Sequence, residues 1–157
     1  MSQHELDKLD FSILTHLQAD GRMLFKDMAK DLGVSSSTIT NRYTKLVDEG
    51  YVRVHAYVDP YKVGLKTPAF VGVKVKAGCL EQVSEAVVQL PESDYVAIVA
   101  GKYDIDITLS CKDRNHLLEV LQKIHAIEGV VDTQTTMTLK VVKYLQASVA
   151  SLSEGLE

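Results

Sequence analysis

The chain has 157 residues, of which 46% are hydrophobic and 24% are charged, and its formal net charge is −4. These values are typical of an ordinary globular protein with one domain or two small ones. The negative charge argues against general binding of polyanions, so any contact with nucleic acid has to come from a local surface.

Three helices are predicted in the first 50 residues, because apolar residues recur there with the helical period. Turn signals at Asp20-Gly21, Gly33 and Gly50 end the three helices in order. Ser35 is placed to cap the N-terminus of the third helix. The residues expected to face inward are Leu6, Leu9, Ile13, Leu14 and Leu17 in the first helix, Phe25, Met28, Ala29 and Leu32 in the second, and Ile39, Tyr43, Leu46 and Val47 in the third.

A strand and a hinge are predicted after these helices. From Tyr51 to Val58 the apolar residues alternate with a period of two, until Asp59-Pro60 ends the strand. Residues 61–68 contain a Gly and a Pro and form the expected hinge between domains.

The remaining pattern predicts strands and helices in the order βαββαβ, which is a ferredoxin-like sandwich. The strands are expected at residues 69–76, 95–100, 103–111 and 130 to about 142, with a helix after the first and third of them. Two helices cover only one face of a four-stranded sheet, so we expect a homo-oligomer that covers the other face.

The fold class is therefore α+β, in four segments. They are a helix-turn-helix domain over residues 1–50, a linker strand and hinge over 51–68, a βαββαβ domain for ligand binding and oligomerisation over 69–143, and a tail over 144–157. The tail has apolar residues at helical spacing, which fits either a docked helix or a frayed end.

The third helix has a polar outward face. The side chains that point away from the core at 100° per residue are Ser37, Thr38, Asn41, Thr44 and Lys45. No acid occurs between Asp31 and Asp48, although residues 1–60 contain nine acids and seven Lys and Arg. This local absence of negative charge suits a surface that lies against phosphates, and such side chains can bond base edges in a major groove. A solvated polar face on a capped helix is the alternative interpretation.

Two longer motifs occur in a fixed order. Residues 6–64 include MAKDLGVSSSTITNRYTKLVDEGY, and residues 101–124 read GKYDIDITLSCKDRNHLLEVLQKI. The first resembles the DNA-binding half of the Lrp/AsnC family of prokaryotic transcription regulators. The second resembles that family's C-terminal domain, which has a G-x-Y-D loop between its second and third strands. The resemblance covers residues 6–143 and implies a transcriptional regulator that dimerises, assembles into octamers or larger rings, and binds amino acids between subunits.

The resemblance implies that a dimer places two third helices in successive major grooves of a palindromic double-stranded DNA site. The candidate contacts are Ser36, Ser37, Thr38, Asn41, Arg42 and Lys45. Asn41 and Lys45 are better placed for bases, whereas Ser36 and Arg42 are expected to hold phosphates. Leu24 departs from the family pattern, because a Ser or Thr normally caps the second helix there.

The candidate effector contacts are Gly101, Tyr103, Asp104, Asp106, Thr133, Thr135 and Thr136. Gly101 lets backbone approach a ligand closely, and Asp104 is placed to pair with an α-ammonium group. The threonines offer hydroxyls to a carboxylate, although Thr is also simply a good strand former. Asp106 departs from the family pattern, and two acids at i and i+2 favour a cationic effector such as lysine or arginine. The alternative is that Asp106 only faces solvent.

No enzyme, metal site or cofactor is predicted. The five His are scattered, and Cys79 and Cys111 lie too far apart for a paired metal motif. Sirohaem decarboxylases resemble the same architecture, but their substrate calls for clustered Arg and His, and Arg114 is the single Arg after residue 60. An interaction scaffold without DNA binding is the other alternative. With no apolar run of roughly 18 residues and no secretory pattern at the start, we expect a cytoplasmic protein without membrane contact.

Overall fold

The computed structural model describes residues 6–142. Its elements, in chain order, are α1 (Lys8–Ala19), α2 (Phe25–Leu32), α3 (Ser36–Asp48), β1 (Thr67–Val75), α4 (Leu80–Val88), β2 (Ser93–Ile98), β3 (Ile105–Cys111), α5 (Arg114–His125) and β4 (Val130–Met137). The chain divides into two compact units between Tyr57 and Val58. Among residues 6–142, every helix is too short or too polar to cross a lipid bilayer.

The first unit is a bundle of α1, α2 and α3 around one apolar core. The buried core residues are Ile13, Leu14, Leu17, Met28, Ala29, Ile39 and Leu46. Helix α2 ends where Gly33 adopts a left-handed conformation with φ of 66°, as the sequence predicts. The residue before α2 is Leu24, whose side chain makes no capping hydrogen bond within the described residues.

Two predictions for this unit are wrong. Val47 was expected to face inward, but its side chain is 40% exposed, because Ile39 and Leu46 form the centre of the buried stripe and Val47 lies beyond its edge. The linker strand expected from Tyr51 to Val58 is also not formed. A strand needs hydrogen bonds to a neighbour, and within residues 6–142 no strand pairs with this segment.

The second unit has the predicted βαββαβ order. Its sheet has the strand order β2-β3-β1-β4, and every neighbouring pair is antiparallel. Helices α4 and α5 pack against one face of the sheet. The buried core between them is formed by Ala69, Val71, Val73, Val83, Val87, Ile105, Ile107, Leu109, Cys111, Leu117, Val120 and Ile124. Strand β4 ends at Met137, shorter than predicted, and the tail prediction for residues 144–157 lies outside the described residues.

The alternation of β1 separates two faces of this sheet. Val71 and Val73 point into the helix-covered core, so Phe70 and Gly72 lie on the opposite face. Register places Phe70 beside Thr108 of β3, and Thr108 beside Tyr95 of β2. Phe70 and Tyr95 are 56% and 58% exposed. We call the face of the sheet that points away from α4 and α5 the open face.

Candidate nucleic-acid interface and effector site

The N-terminus of α3 is held by a cluster of hydroxyl groups. The Oγ atom of Ser35 accepts a hydrogen bond from the Thr38 N–H at 3.1 Å, which confirms Ser35 as the predicted cap. The same Oγ lies 2.8 Å from the hydroxyl oxygens of Ser37 and Thr38. The cap fixes the first turn of α3, and with it the direction in which the following polar side chains point.

The polar face of α3 carries most of the predicted DNA contacts. Ser36, Ser37, Asn41 and Lys45 are exposed, and Thr38 is half-buried because its hydroxyl joins the cap. Within residues 6–142, Asn41 has no hydrogen bond from its side chain. At 100° per residue, Ser37, Asn41 and Lys45 fall within about 80° of one another around the helix. These groups can therefore meet one surface together.

Arg42 lies at the edge of this face, about 60° around the helix from Lys45, and its side chain is paired with two carboxylates. Its Nη1 donates to Oδ2 of Asp7 at 2.7 Å and to both carboxylate oxygens of Asp10 at 3.1 Å. The Asp7 side chain is 46% exposed, whereas that of Asp10 is 1% exposed. The hydrogen bond to Asp7 is the largest influence on Arg42 and raises the pKa of its guanidinium. Arg42 therefore joins α3 to the first turn of α1.

The open face of the second unit contains a depression of about 340 Å³. Its residues come from all four strands and from the loop before β3: Phe70, Val71, Gly72, Tyr95, Tyr103, Asp106, Ile107, Thr108, Gln134 and Thr136. Tyr103, Asp106 and Thr136 were predicted as effector contacts. Asp106 has no hydrogen bond or ion pair with any residue from 6 to 142. Its carboxylate is therefore available to a cationic group.

Tyr103 forms one wall of the depression. A Cβ atom on Gly72 would lie 2.6 Å from Cδ2 of Tyr103, so the ring rests directly over the glycine backbone. Its hydroxyl donates to Oε1 of Gln134 at 2.6 Å, and Nζ of Lys102 donates to the same oxygen at 3.1 Å. The Lys102 ammonium also lies 4.9 Å from the centre of the Tyr103 ring. Through these contacts the loop before β3 crosses over β1 and is attached to β4.

Asp104 already has partners within the chain. Its Oδ1 accepts a hydrogen bond from Nζ of Lys74 at 2.8 Å, and its Oδ2 accepts one from the Val75 N–H at 2.8 Å. The hydrogen bond from Lys74, and after it the one from the Val75 N–H, lowers the pKa of Asp104 below its usual range. The Asp104 carboxylate therefore ties the loop to β1, and its pairing with an α-ammonium group stays a prediction.

The other predicted effector residues lie outside the depression. Thr133 and Thr135 lie beside Val73 and Val71, so they point to the face that carries the helices. Thr133 Oγ1 bonds Nε2 of His125 at 2.6 Å. Gly101 is exposed and does not line the depression. Because side chains alternate between the two faces along β4, these threonines point away from the face that carries Thr136.

Several lining residues were missed by sequence reasoning. They are Phe70, Val71, Gly72, Tyr95, Ile107 and Thr108. The signal was present in part, because Gln134 and Thr136 share one parity on β4 and Asp106 and Thr108 share one on β3. To place these two pairs in one site, the order of the strands in the sheet had to be known as well. Elsewhere in residues 6–142, no three His, Cys, Asp or Glu side chains cluster closely enough to hold a metal ion.

The sequence matches known protein families over both units. Residues 6–53 match a winged helix-turn-helix DNA-binding domain, and residues 68–147 match the Lrp/AsnC ligand binding domain. The chain belongs to the Lrp/AsnC family. This Lrp/AsnC protein is therefore a DNA-binding transcriptional regulator with a ligand-binding domain, and the predicted α+β fold is confirmed.

Relatives of this Lrp/AsnC protein have similar length and fold. The uncharacterised HTH-type transcriptional regulator PH0140 of Pyrococcus horikoshii is 35% identical over 147 residues, which cover 92% of this chain and 93% of the relative. AsnC of E. coli superposes with a TM-score of 0.87 at 26% identity, covering 92% of this chain and 99% of AsnC. An L-Met complex of the transcriptional regulator NMB0573 from Neisseria meningitidis superposes with a TM-score of 0.86 at 28% identity, covering 94% and 99%.

Proposed function

We propose that this regulator is a homodimer that recognises a palindromic DNA site with two copies of α3 and responds to an amino acid bound at the open face. The observation that carries the proposal is the depression of about 340 Å³, where a carboxylate and an amide lie beside apolar walls. An amino acid offers matching ammonium and apolar groups. A regulator of this kind acts on the chromosome, in the prokaryotic cytoplasm.

The proposed DNA contacts follow the exposed face of α3. Asn41 suits the edge of adenine, and Lys45 suits guanine, so these two side chains determine sequence preference. Ser36, Ser37 and Thr38 lie at the helix N-terminus, where hydroxyl and N–H groups bond phosphates and fix the register. Each subunit reads one half-site, and the half-sites lie one helical turn or a multiple of it apart.

A second copy of the chain is the proposed cover for the open face. Phe70 and Tyr95 are more than half exposed there, and two sheets that pack face to face bury such side chains between them. Pairing of two open faces also encloses the depression between subunits. Association of dimers into octamers places several copies of α3 near one DNA molecule, which raises their combined affinity through effective concentration.

The proposed effector is an amino acid with a basic side chain. Asp106 supplies the negative charge in the depression, since Asp104 is already paired with Lys74. Phe70 and Tyr95 supply apolar walls for the methylene groups of such a ligand. The L-Met complex of the regulator NMB0573 supports the amino acid class, and Asp106 supports the basic side chain.

DNA binding is tested by fluorescence anisotropy with duplexes from the region upstream of the protein's own gene and with scrambled duplexes of the same composition. Binding is measured across a salt series. We expect a preference for an upstream duplex, with an affinity that falls as salt rises. If every duplex binds equally at every salt concentration, genomic fragments are selected next, and failure to enrich any fragment contradicts the proposal.

The effector is tested by thermal denaturation of the protein with single amino acids. Lysine or arginine is expected to raise Tm and to change the DNA affinity, because a ligand that binds the folded state stabilises it. Asp106→Asn is expected to remove this response and leave Tm without ligand nearly unchanged. Stabilisation by neutral amino acids but by neither basic one contradicts the choice of a basic effector.

A further inference from the structure

Arg42 lies at the edge of the α3 face proposed to contact DNA, about 60° around the helix from Lys45. It is about 100° around the helix from Asn41, on the side where its guanidinium reaches α1. All three of its short contacts with Asp7 and Asp10 are made by one nitrogen, Nη1, at 2.7 to 3.1 Å. The guanidinium is thus directed toward α1.

The two carboxylates that bind Arg42 are themselves held in place. Oδ1 of Asp7 accepts the N–H of Asp10 at 2.9 Å, and Oδ2 of Asp10 accepts the N–H of Asp7 at 3.1 Å. This reciprocal cap starts α1 at the same point that receives the guanidinium. Arg42 therefore contacts a rigid pair of acceptors 35 and 32 residues earlier in the chain.

We propose that Arg42 is a positioning residue, which binds Asp7 and Asp10 so that α3 is held on α1 with Asn41 and Lys45 directed at DNA, and which does not contact phosphate. The proposal rests on the proposed DNA-facing role of α3. Moving Nη1 from Asp10 to a phosphate would break its contact with a side chain that is 1% exposed. A buried carboxylate that loses its cationic partner destabilises the fold strongly, so the exchange is unfavourable.

Removing a carboxylate changes DNA affinity in opposite directions for the two roles of Arg42, so the direction of the change distinguishes them. If Arg42 contacts phosphate, removing a nearby negative charge strengthens DNA binding. If Arg42 positions α3 through these acids, removing either one weakens DNA binding although repulsion of phosphate falls. Asp10→Asn keeps the size of the buried side chain. Asp7→Asn keeps a residue that caps helices as well as Asp does, so it folds even where Asp10→Asn does not.

The experiment uses the full-length protein and anisotropy with the same upstream duplexes across a salt series. It is run at a temperature where circular dichroism shows that each variant is folded. Arg42→Gln and the double variant Asp10→Asn/Arg42→Gln complete the cycle. Glu49→Gln is the matched control, because Glu49 is an exposed acid at the C-terminal end of α3 with no ion pair in the described residues.

We expect Asp10→Asn and Arg42→Gln each to weaken binding about tenfold, and Asp7→Asn to weaken it less. The double variant is expected to bind no more weakly than either single variant, because both remove one interaction. The slope of log affinity against log salt concentration stays at the wild-type value in Arg42→Gln, since no phosphate contact is lost. Glu49→Gln is expected to bind at least as tightly as the wild type.

Two results overturn the proposal. Tighter binding by Asp7→Asn and Asp10→Asn, or a salt slope reduced by about one per subunit in Arg42→Gln, shows that Arg42 contacts phosphate, while the DNA-binding role of α3 stands. If the wild type itself binds no duplex in a salt-dependent way, the DNA-facing role of α3 fails and this proposal fails with it.

Discussion

The ring of Tyr103 lies over the backbone of Gly72, at a distance that leaves no room for a Cβ atom at position 72. Gly72 is flanked by Asp106 of β3 and Gln134 of β4, and the Tyr103 hydroxyl donates to Gln134 across it. Lack of a side chain at one position of β1 therefore allows the loop before β3 to reach β4. This arrangement forms one wall of the depression.

Gly72→Ala is expected to displace the Tyr103 ring and to lower the free energy of unfolding by about 1 to 2 kcal/mol, as overpacking typically does. It also breaks the bond to Gln134 and weakens any effector response. The measurement is urea denaturation, with a titration of the effector on the same variant. Gly101→Ala is the matched control, because no described residue other than its chain neighbours has a heavy atom within 4 Å of a Cβ there. Equal destabilisation by both variants contradicts the predicted role of Tyr103.

Phe70→Glu is expected to convert the homodimer to monomers, because it buries a charge in the centre of the proposed interface. The mass in solution, from light scattering across a range of protein concentrations, measures the effect. Leu118→Glu on α5 is a control with the same exposure of 56%, away from the open face. A dimer that survives Phe70→Glu, or a wild type that is monomeric at all concentrations, contradicts the open face as an interface.

The order of elements could be predicted from the sequence because the signals are local. Each helix of the first unit has a turn residue at its end, and Ser35 caps α3 within its own first turn. The alternation of β1 and the helical spacing of α5 likewise depend on neighbouring residues only. Local periodicity therefore supplied the α+β class and the βαββαβ order.

Contacts between distant residues could not be predicted in the same way. The contacts of Arg42 with Asp7 and Asp10 join residues more than 30 positions apart, so the spacing of residues within α3 does not reveal them. The ion pair of Asp104 with Lys74 likewise joins the loop before β3 to β1, and the sequence near Asp104 does not show it. A charged side chain pairs with whatever the fold brings beside it, and sequence spacing does not show this.

The pH dependence of stability is predicted to involve Glu92. Its side chain is 10% exposed and accepts hydrogen bonds from His116 at 3.1 Å and Lys123 at 3.4 Å. Burial is the largest influence and raises the pKa of Glu92, but the hydrogen bonds from its own backbone, His116 and Lys123 together outweigh it and hold the pKa below its usual range. A lowered pKa in the folded state stabilises the protein above the unfolded value, and this contribution is lost as pH falls through the folded value.

Glu92→Gln is therefore expected to lower the free energy of unfolding near neutral pH, and its difference from the wild type should shrink as the pH falls through the lowered folded-state pKa of Glu92. Urea denaturation at a series of pH values gives this difference directly. Glu85→Gln, an exposed position on α4, is the matched control and should show little change at any pH. A difference for Glu92→Gln that is constant with pH contradicts the role of its charge.

Ser35→Ala is expected to lower the free energy of unfolding by about 1 kcal/mol, because it removes the side-chain acceptor for the Thr38 N–H at the start of α3. Ser36→Ala is the matched stability control, since the hydroxyl of Ser36 has no hydrogen bond within the described residues. Ser35→Asp separates stability from DNA binding. It restores a capping acceptor and keeps the stability of the wild type, but its negative charge lies beside the face proposed to meet phosphate, so DNA affinity should fall. Urea denaturation and anisotropy measure the two quantities independently. If Ser35→Asp binds DNA as tightly as the wild type at low salt, the N-terminus of α3 lies away from the DNA backbone.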